Sequence, residues 1–289
     1  MPELPEVETV KRGLEKLLVG HKVTDVSFDW PKSFPNAKND VNKFLIGAKI
    51  TDVRRRAKVL MIDLDSKYSL VIHLKMTGQL VYRGKDSFGA GHPNESLVGE
   101  LADRSTRVTL TLDNKANMFF NDQRKFGWMR LLPTIQIKEL DFFKKFGPEP
   151  LDSSFKAGDF YIRLQRRKNS KIKAVLLDQA VLAGVGNIYA DESLWGAKIH
   201  PSTLVSNIPK KRIEILFKEL QFVLNLAIEK GGSTDKNYVN VEGKKGSYMD
   251  FARVFRREKL PCPRCGTIII KTRVAGRGTH ICPTCQVIM

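Results

Sequence analysis

Along the first fifth of the chain the apolar positions change period. Val7, Val10, Leu14, Leu17 and Leu18 recur at three- and four-residue spacing after Glu3, and Gly20 closes the run, which predicts an amphipathic helix over 3–18. Beyond it the spacing shortens. Lys22–Phe28, Lys49–Val53, Lys58–Leu64, Ser69–Leu74, Thr106–Leu112 and Asn117–Asn121 are short, β-branched or aromatic, and bounded by turn residues. That pattern predicts an antiparallel β-sandwich or barrel with the N-terminal helix laid against it. Ser87–Arg104 is rich in glycine and polar residues and reads as a mobile loop. At Pro148-Glu149-Pro150 the composition shifts, placing a domain boundary within 133–152. Helical spacing then returns over Phe155–Arg166, Ser170–Ala180, Ile188–Gly196 and Lys210–Lys230. A soft stretch, Gly231–Lys245, leads to a compact cysteine-bearing tail, and no internal repeat is present.

Composition narrows the partners. At 289 residues with 42% hydrophobic content the chain has ample material for two cores. Its 49 Lys and Arg against 31 Asp and Glu leave a net charge of +18, which calls for a polyanion, most simply nucleic acid. Anionic lipid is the alternative, but neither a basic amphipathic helix nor a lipidation signal appears. There is no 20-residue apolar run and no signal-peptide core, so the expected location is the cytoplasm and no membrane partner is expected.

The most specific motif is the tail. All four cysteines fall as Cys262-x2-Cys265, sixteen residues, then Cys282-x2-Cys285. Two such knuckles suit four thiolates around one structural zinc; disulfides are the competing reading, disfavoured in a reducing cytosol. With four thiolates no position is left for an activated water, so the metal would fold a β-ribbon and aim its tip, where Arg277 sits between two glycines. Arg277 there can approach a phosphate or simply be a hairpin arginine in solvent.

Further upstream, Leu182-Ala183-Gly184-Val185-Gly186-Asn187 joins two helical segments, with Asn187 placed as an N-cap. Freed amides at that turn would suit a DNA phosphate, and the basic run Arg166–Lys171 precedes it. In the β domain, Lys75-Met76-Thr77-Gly78 and Asp122–Gly127 end strands in tight turns. Met76, Arg124 and Phe126 there are either core residues or protruding wedges that pry apart a base step. Lys58 opens an apolar strand after three arginines and is either an exposed charge or a group aimed into a cleft.

Last comes Met1-Pro2-Glu3-Leu4-Pro5-Glu6. Proline and glutamate in a first turn are ordinary chemistry for a helix start. Removal of Met1, however, would expose a secondary amine with a pKa near ~8, well below that of lysine. Attack of that amine on a carbonyl-type carbon yields an iminium electron sink, with Glu3 and Glu6 beside it to move protons.

These stretches together resemble the formamidopyrimidine-DNA glycosylases, bacterial base-excision repair enzymes for oxidised purines. The resemblance runs end to end: MPELPEVETV, LKMTGQL, NDQRKFG, LLDQAVLAGVGNIYADE, GGST with YVNVEGKKGSY, and CPRCG followed by GRGTHICPTCQ. It implies an α+β multidomain chain: an N-terminal β-sandwich with its helix over 1–135, a helix–two-turn–helix domain over 150–235, a lesion-capping loop and linker over 236–252, and a zinc-finger β-ribbon over 253–289. DNA would lie in the cleft between halves. Pro2 resembles the nucleophile that attacks C1′ of the damaged nucleotide, Glu3 the acid/base of sugar ring opening, Lys58 the proton donor of β-elimination and Arg277 that of δ-elimination. Glu6 and Asn187 resemble supporting residues, Asn187 also holding phosphate.

By the same resemblance Met76, Arg124 and Phe126 match the triad that fills the void left by the flipped base, and Lys168 matches a backbone contact. Ser233 to Tyr248 resembles the loop over the extruded purine. The implied partner is damaged double-stranded DNA bound by a monomer, with one zinc ion and no nucleotide or organic cofactor. One departure stands out: the family has His-x-His before Val108, where this chain has Ser105-Thr106-Arg107. The DNA contact would fall to the Ser105 hydroxyl, or pass to Arg104 or Arg107. Phe88–Ala102 has no clear counterpart, and no role follows for it. The sister enzymes for oxidised pyrimidines share nucleophile, hairpin and finger; Leu4 and LKMTGQL favour the purine branch. A non-catalytic damage-binding protein is the remaining alternative.

Overall fold

A computed structural model describes residues 1–92, 94–233 and 248–289. The chain forms two compact units, one from Met1–Lys144 with the described residues 230–233, the other from Lys145–Glu229 and Tyr248–Met289.

The first unit is a sandwich of two antiparallel sheets. Strands β1 (Val23–Phe28), β5 (Gly78–Arg83), β6 (Ser87–Gly91), β7 (Thr106–Leu112) and β8 (Asn117–Asp122) form one sheet in the order β1-β7-β8-β5-β6. Strands β2 (Ile50–Arg56), β3 (Val59–Leu64), β4 (Tyr68–His73) and β9 (Trp128–Pro133) form the other in chain order. Leu80, Leu110 and Phe120 from one sheet meet Val53, Leu60, Ile72 and Leu131 from the other in a single core. Helix α1 (Leu4–Leu18) adds Val7, Val10, Leu14 and Leu18 to that core, the residues its 3.6 periodicity picks out. Its Gly13 is a close-approach glycine: a Cβ there would lie 2.1 Å from the Phe88 ring. A short helical turn, α2 (Lys38–Asp40), runs into a single π turn at Val41–Leu45, and α3 (Asp141–Lys144) ends the unit's main stretch.

Periodicity does not predict three of the strands, β5, β6 and β9, and β6 corrects the reading of 87–104 as a mobile loop. Ser87–Gly91 pairs with β5 in full register, Arg83 opposite Ser87 through Gln79 opposite Gly91. The following residues cover the outer sheet face: Asn94 caps a 3-10 turn at Glu95–Leu97, and Leu97 packs on Val81 and Phe119. Glycines hide this strand from any propensity argument because its stability comes from its partner strand and its cover.

Topology then brings two turns side by side. β4 and β9 are neighbours in one sheet, β5 and β8 in the other, so the β4–β5 and β8–β9 connections both cross between sheets at one corner. His73 pairs with Trp128 on one side of that corner and Gly78 with Asp122 on the other.

The second unit is helical, built from α4 (Ala157–Gln165), α5 (Ile172–Leu177), α6 (Asn187–Gly196) and α7 (Lys210–Glu229), with a hairpin of β10 (Ile270–Val274) and β11 (Arg277–Ile281). Phe160, Ile172, Leu176, Val185, Tyr189, Leu216, Leu220 and Leu224 form its core. The turn between α5 and α6 is held by Gln179, which donates to the carbonyls of Leu177 and Val185 and accepts from the Gly184 N–H. No helix among the described residues is long and apolar enough to cross a membrane.

Candidate active site

At the start of the chain Met1 is about half exposed and Pro2 is buried. The Glu3 N–H donates to Glu6 Oε2 at 2.7 Å, half of the exchange that defines a capping box. Glu6 Oε1 accepts the Ser233 N–H at 2.8 Å, so one carboxylate ties the peptide that follows Pro2 to residue 233. Gly232 lies at φ +88, and a Cβ there would sit 3.2 Å from the Glu6 side chain, so glycine gives this approach both its dihedral and its room. Glu3 and Glu6 are both buried, at 3% and 4% exposure. Glu8, two residues on, pairs with Arg55 at 2.9 Å and pins α1 to β2. Burial raises the Glu8 pKa, but the Arg55 and Arg12 guanidiniums outweigh it and hold the carboxyl below its ordinary value.

Lys58 is buried at 7% exposure, in the turn between β2 and β3, so it is no solvated strand-end lysine. Burial, with the charges of Lys75 and Lys58, drives the His73 pKa down to about 3 and keeps that ring neutral. His73 Nδ1 accepts the Lys75 N–H at 3.0 Å.

The two corner turns project their tips. Met76 is 37% and Phe126 54% exposed, and Arg124 stacks over the Phe126 ring at 4.8 Å. The core reading of these side chains therefore does not hold. Lys75 and Lys125, one in each turn, take left-handed φ values of +51 and +57.

Ser105 does not fit a phosphate contact. It is 2% exposed, and its hydroxyl bonds Asp103 Oδ1 at 2.7 Å and Ser96 at 3.1 Å. Arg107 is also buried, its guanidinium bonded to Asp29 and to the carbonyls of Asp122 and Arg104. Of Arg104, Ser105 and Arg107, only Arg104 is exposed, beside a recess of about 540 Å³ lined by Asn94, Ser96, Asp103 and Gln123. Buried hydroxyls and guanidiniums find protein partners first, and so the sequence-level expectation for Ser105 does not hold.

In the second unit Lys168 is exposed in the turn between α4 and α5. Asn187 is not the N-cap: Gly186 occupies that position and Asn187 is the first helical residue. Its Nδ2 instead donates to the Gly278 carbonyl at 3.0 Å, next to Arg277. Arg277 is exposed and opens β11 after a two-residue turn, Ala275 at φ +50 and Gly276 at φ +73, the left-handed pair that matches hairpin twist. Lys173, fully buried, reinforces the same tip through Asp191 Oδ1 at 2.6 Å, Thr279 Oγ1 at 2.7 Å and the Gly278 carbonyl at 3.1 Å.

Cys262, Cys265, Cys282 and Cys285 bring their sulfurs within 4.8 Å of one another, with neighbours at 3.4, 3.5 and 4.0 Å. A tetrahedral zinc with 2.3 Å bonds needs edges of about 3.8 Å, so the site fits the metal. When bound, zinc supplies cross-linking of the two knuckles and no catalytic position. Trp195 of α6 packs with Cys262, Cys282 and Ile269 and seats the finger on the helical core.

Three family models match in series: the formamidopyrimidine-DNA glycosylase N-terminal domain over 1–129, the H2TH domain of the same enzymes over 146–238, and the zinc finger found in FPG and IleRS over 259–287. The formamidopyrimidine-DNA glycosylase of Herpetosiphon aurantiacus is 43% identical over 288 residues, covering 99% of this chain and 100% of the relative. The chain belongs to the formamidopyrimidine-DNA glycosylase family. The Streptococcus mutans enzyme is 39% identical over 287 residues, 99% of both chains. Among solved structures, Lactococcus lactis Fpg in complex with DNA containing an abasic site superposes with a TM-score of 0.86 at 34% identity over 99% of each chain. MutM in complex with DNA containing carbocyclic 8-oxo-G gives 0.84 at 34% identity, covering 99% of this chain and 100% of that one.

Within this glycosylase fold the structure joins Glu3 to Glu6 and Asn187 to the neighbour of Arg277, and it places Pro2, Glu3 and Lys58 in one unit and Arg277 in the other. The lesion-capping loop expected over 236–252 lies outside the described residues for 236–247. Sequence reasoning missed Asp122, His73, Lys173 and Asp191. Asp122 stands inside the NDQRKFG motif but gave no signal beyond a turn former; Lys173 and Asp191 carry no signal of their own in the sequence, and only their burial singles them out.

Proposed function

We propose that this chain excises oxidised purines, 8-oxoguanine and formamidopyrimidines, from damaged duplex DNA as a bifunctional glycosylase and AP lyase, using Pro2 as nucleophile. With Met1 removed, the Pro2 nitrogen attacks C1′ of the flipped nucleotide and the base leaves. The resulting iminium acidifies the C2′ protons; β-elimination expels the 3′ phosphate and δ-elimination the 5′ phosphate. Glu3 serves ring opening, Lys58 donates the β-elimination proton, and Arg277 acts in the δ step. The observation that carries this reading is the buried Glu6 carboxylate bonded to the Glu3 N–H, which fixes the peptide next to the nucleophile instead of letting a chain end fray.

Met76, Arg124 and Phe126 fill the vacated stack, Arg124 facing the orphaned base; their exposure at one sandwich corner supports this. Lys168 and Arg104 contact backbone phosphate, Arg104 taking the place Ser105 cannot fill. Four thiols committed to zinc suit a reducing compartment, and we place the enzyme in the cytoplasm with the chromosome, acting as a monomer.

Borohydride trapping tests the core of this proposal. The mature protein is expected to form a covalent adduct with DNA holding 8-oxoguanine opposite cytosine, retention of Met1 to abolish it, and Pro2→Gly, which keeps a primary α-amine, to weaken it. An adduct surviving retention of Met1 would move the nucleophile elsewhere. Stronger cleavage of an oxidised-thymine duplex than of the 8-oxoguanine duplex would reassign the substrate.

A further inference from the structure

Both corner turns converge on one buried carboxylate. Asp122 ends β8 opposite Gly78, the first residue of β5, and has no exposed surface. Its Oδ1 accepts the Thr77 hydroxyl and the Arg124 N–H, the latter at 3.2 Å. Its Oδ2 accepts the Phe126 N–H at 2.8 Å and the Gly127 N–H at 2.6 Å. The Arg124 N–H is shared with the Thr77 oxygen at 3.1 Å, which ties the turn carrying Met76 directly to the turn carrying Arg124 and Phe126. The Asp122 backbone is gripped as well, its N–H by the Ser105 carbonyl at 2.8 Å and its carbonyl by Arg107 Nε at 3.0 Å.

Nothing in the sandwich itself calls for an acid here. A strand end can be closed by backbone or water, whereas a buried carboxylate is costly unless its lone pairs are filled. The donors that fill them come from residues 77, 124, 126 and 127, which adjoin or carry the exposed tips. Lys75 and Lys125 hold left-handed backbone in the same two turns, a conformation that persists only when its surroundings over-determine it.

We propose that Asp122 is a positioning residue that locks the two turns together before DNA arrives, so that Met76, Arg124 and Phe126 enter the duplex as one rigid wedge. Ordering is completed during folding and need not be drawn from binding. This rests on the wedge reading of those three side chains. Asp122 itself touches no reacting atom.

Asp122→Asn keeps the shape but turns one acceptor into a donor that faces backbone N–H groups. Hydrogen exchange of the Phe126 and Gly127 amides is expected to speed up about 10-fold or more, and kcat/KM on duplex 8-oxoguanine to fall about 10- to 100-fold, mostly through KM. Borohydride trapping on a single-stranded abasic oligonucleotide, which has no opposite strand to hold open, stays within about two-fold of wild type. Thr77→Val cuts the same clamp with the carboxylate intact and reproduces the split, and Thr77→Ser restores it.

Unchanged amide exchange in Asp122→Asn overturns the proposal. So does an equal loss on duplex and single strand with a lowered Tm, which marks a merely structural acid. Duplex activity lost in Arg124→Ala and Phe126→Ala but kept in Asp122→Asn overturns the clamp and leaves the wedge. Harmless Arg124→Ala and Phe126→Ala overturn the wedge reading itself.

Discussion

Lys173 offers the sharpest test of how the finger tip is held. Its ammonium has no exposed surface and donates to Asp191 Oδ1, Thr279 Oγ1 and the Gly278 carbonyl. Asp191, equally buried, spends its other oxygen on the His280 N–H at 2.9 Å. Lys173→Met keeps the length and removes the charge, leaving Asp191 Oδ1 and the Thr279 hydroxyl without their ammonium donor, while the Gly278 carbonyl keeps the Asn187 amide. Breaking one side of a buried pair costs about 3–5 kcal/mol, a large share of the roughly 5–15 kcal/mol that holds a domain together. Asp191→Leu strands the ammonium and costs about as much. The double variant leaves mainly the His280 N–H unsatisfied, about 1–3 kcal/mol.

Two singles of at least 3 kcal/mol each, less at most 3 for the double, give a coupling of about 3 kcal/mol or more. Urea unfolding of the four proteins, followed by circular dichroism with zinc content measured in parallel, reads this directly. Because Thr279 and Gly278 adjoin Arg277, the single variants should also lose δ-elimination product before β-elimination product. A Lys173→Met variant destabilised by less than about 1 kcal/mol, or singles that simply add, would refute the account.

Three further outcomes follow from other sites. Glu6→Gln can accept only one of the two N–H groups its carboxylate now serves, from Glu3 and Ser233; borohydride trapping should slow about 10-fold with little change in Tm, and an unaltered rate counts against Glu6 as the anchor of the chain end. His73 is neutral in the fold down to a pKa of about 3, because of burial and the charges of Lys75 and Lys58, while the unfolded ring protonates near 6.5. Only the unfolded state gains that proton, so this histidine lowers stability as pH falls from 6.5, by about 2 kcal/mol at pH 5; denaturation at pH 7 and 5 should show a shallower loss in His73→Gln, and an identical loss excludes the effect. Gly13→Ala drives a methyl into the Phe88 ring and should destabilise the first unit by about 1–3 kcal/mol despite better helix propensity, with Phe88→Leu restoring it; thermal unfolding that shows a gain instead would refute the close approach.

Features that depend on neighbours in the chain were legible from the sequence. Helix α1 follows from a 3.6 periodicity, and the zinc site follows from two Cys-x2-Cys knuckles, each shaped by its own tight turn. For Met76 and Phe126 the bracketing turn residues left core and protrusion both open, and only the fold shows them exposed. The glycine-rich β6 could not be anticipated, since its place is set by β5 alongside and Leu97 above. Nor could Asn187 be told from a cap, because Gly186 takes that position and the asparagine amide goes to Gly278, 91 residues away.

By itself the sequence determined the chemistry on offer: a secondary amine behind Met1, carboxylates at helical spacing beside it, four thiolates in two pairs, and a surplus of positive charge to meet a polyanion. Tertiary structure alone decided which polar groups are free to act and which are consumed in holding others. Ser105 and Arg107 are sealed into the sandwich, Lys173 and Asp191 into the helical core, and Asp122 at the corner where two crossovers meet. The reason is that a buried polar group must find a partner, and its partner is chosen by strand pairing and helix packing across distances that local periodicity does not encode.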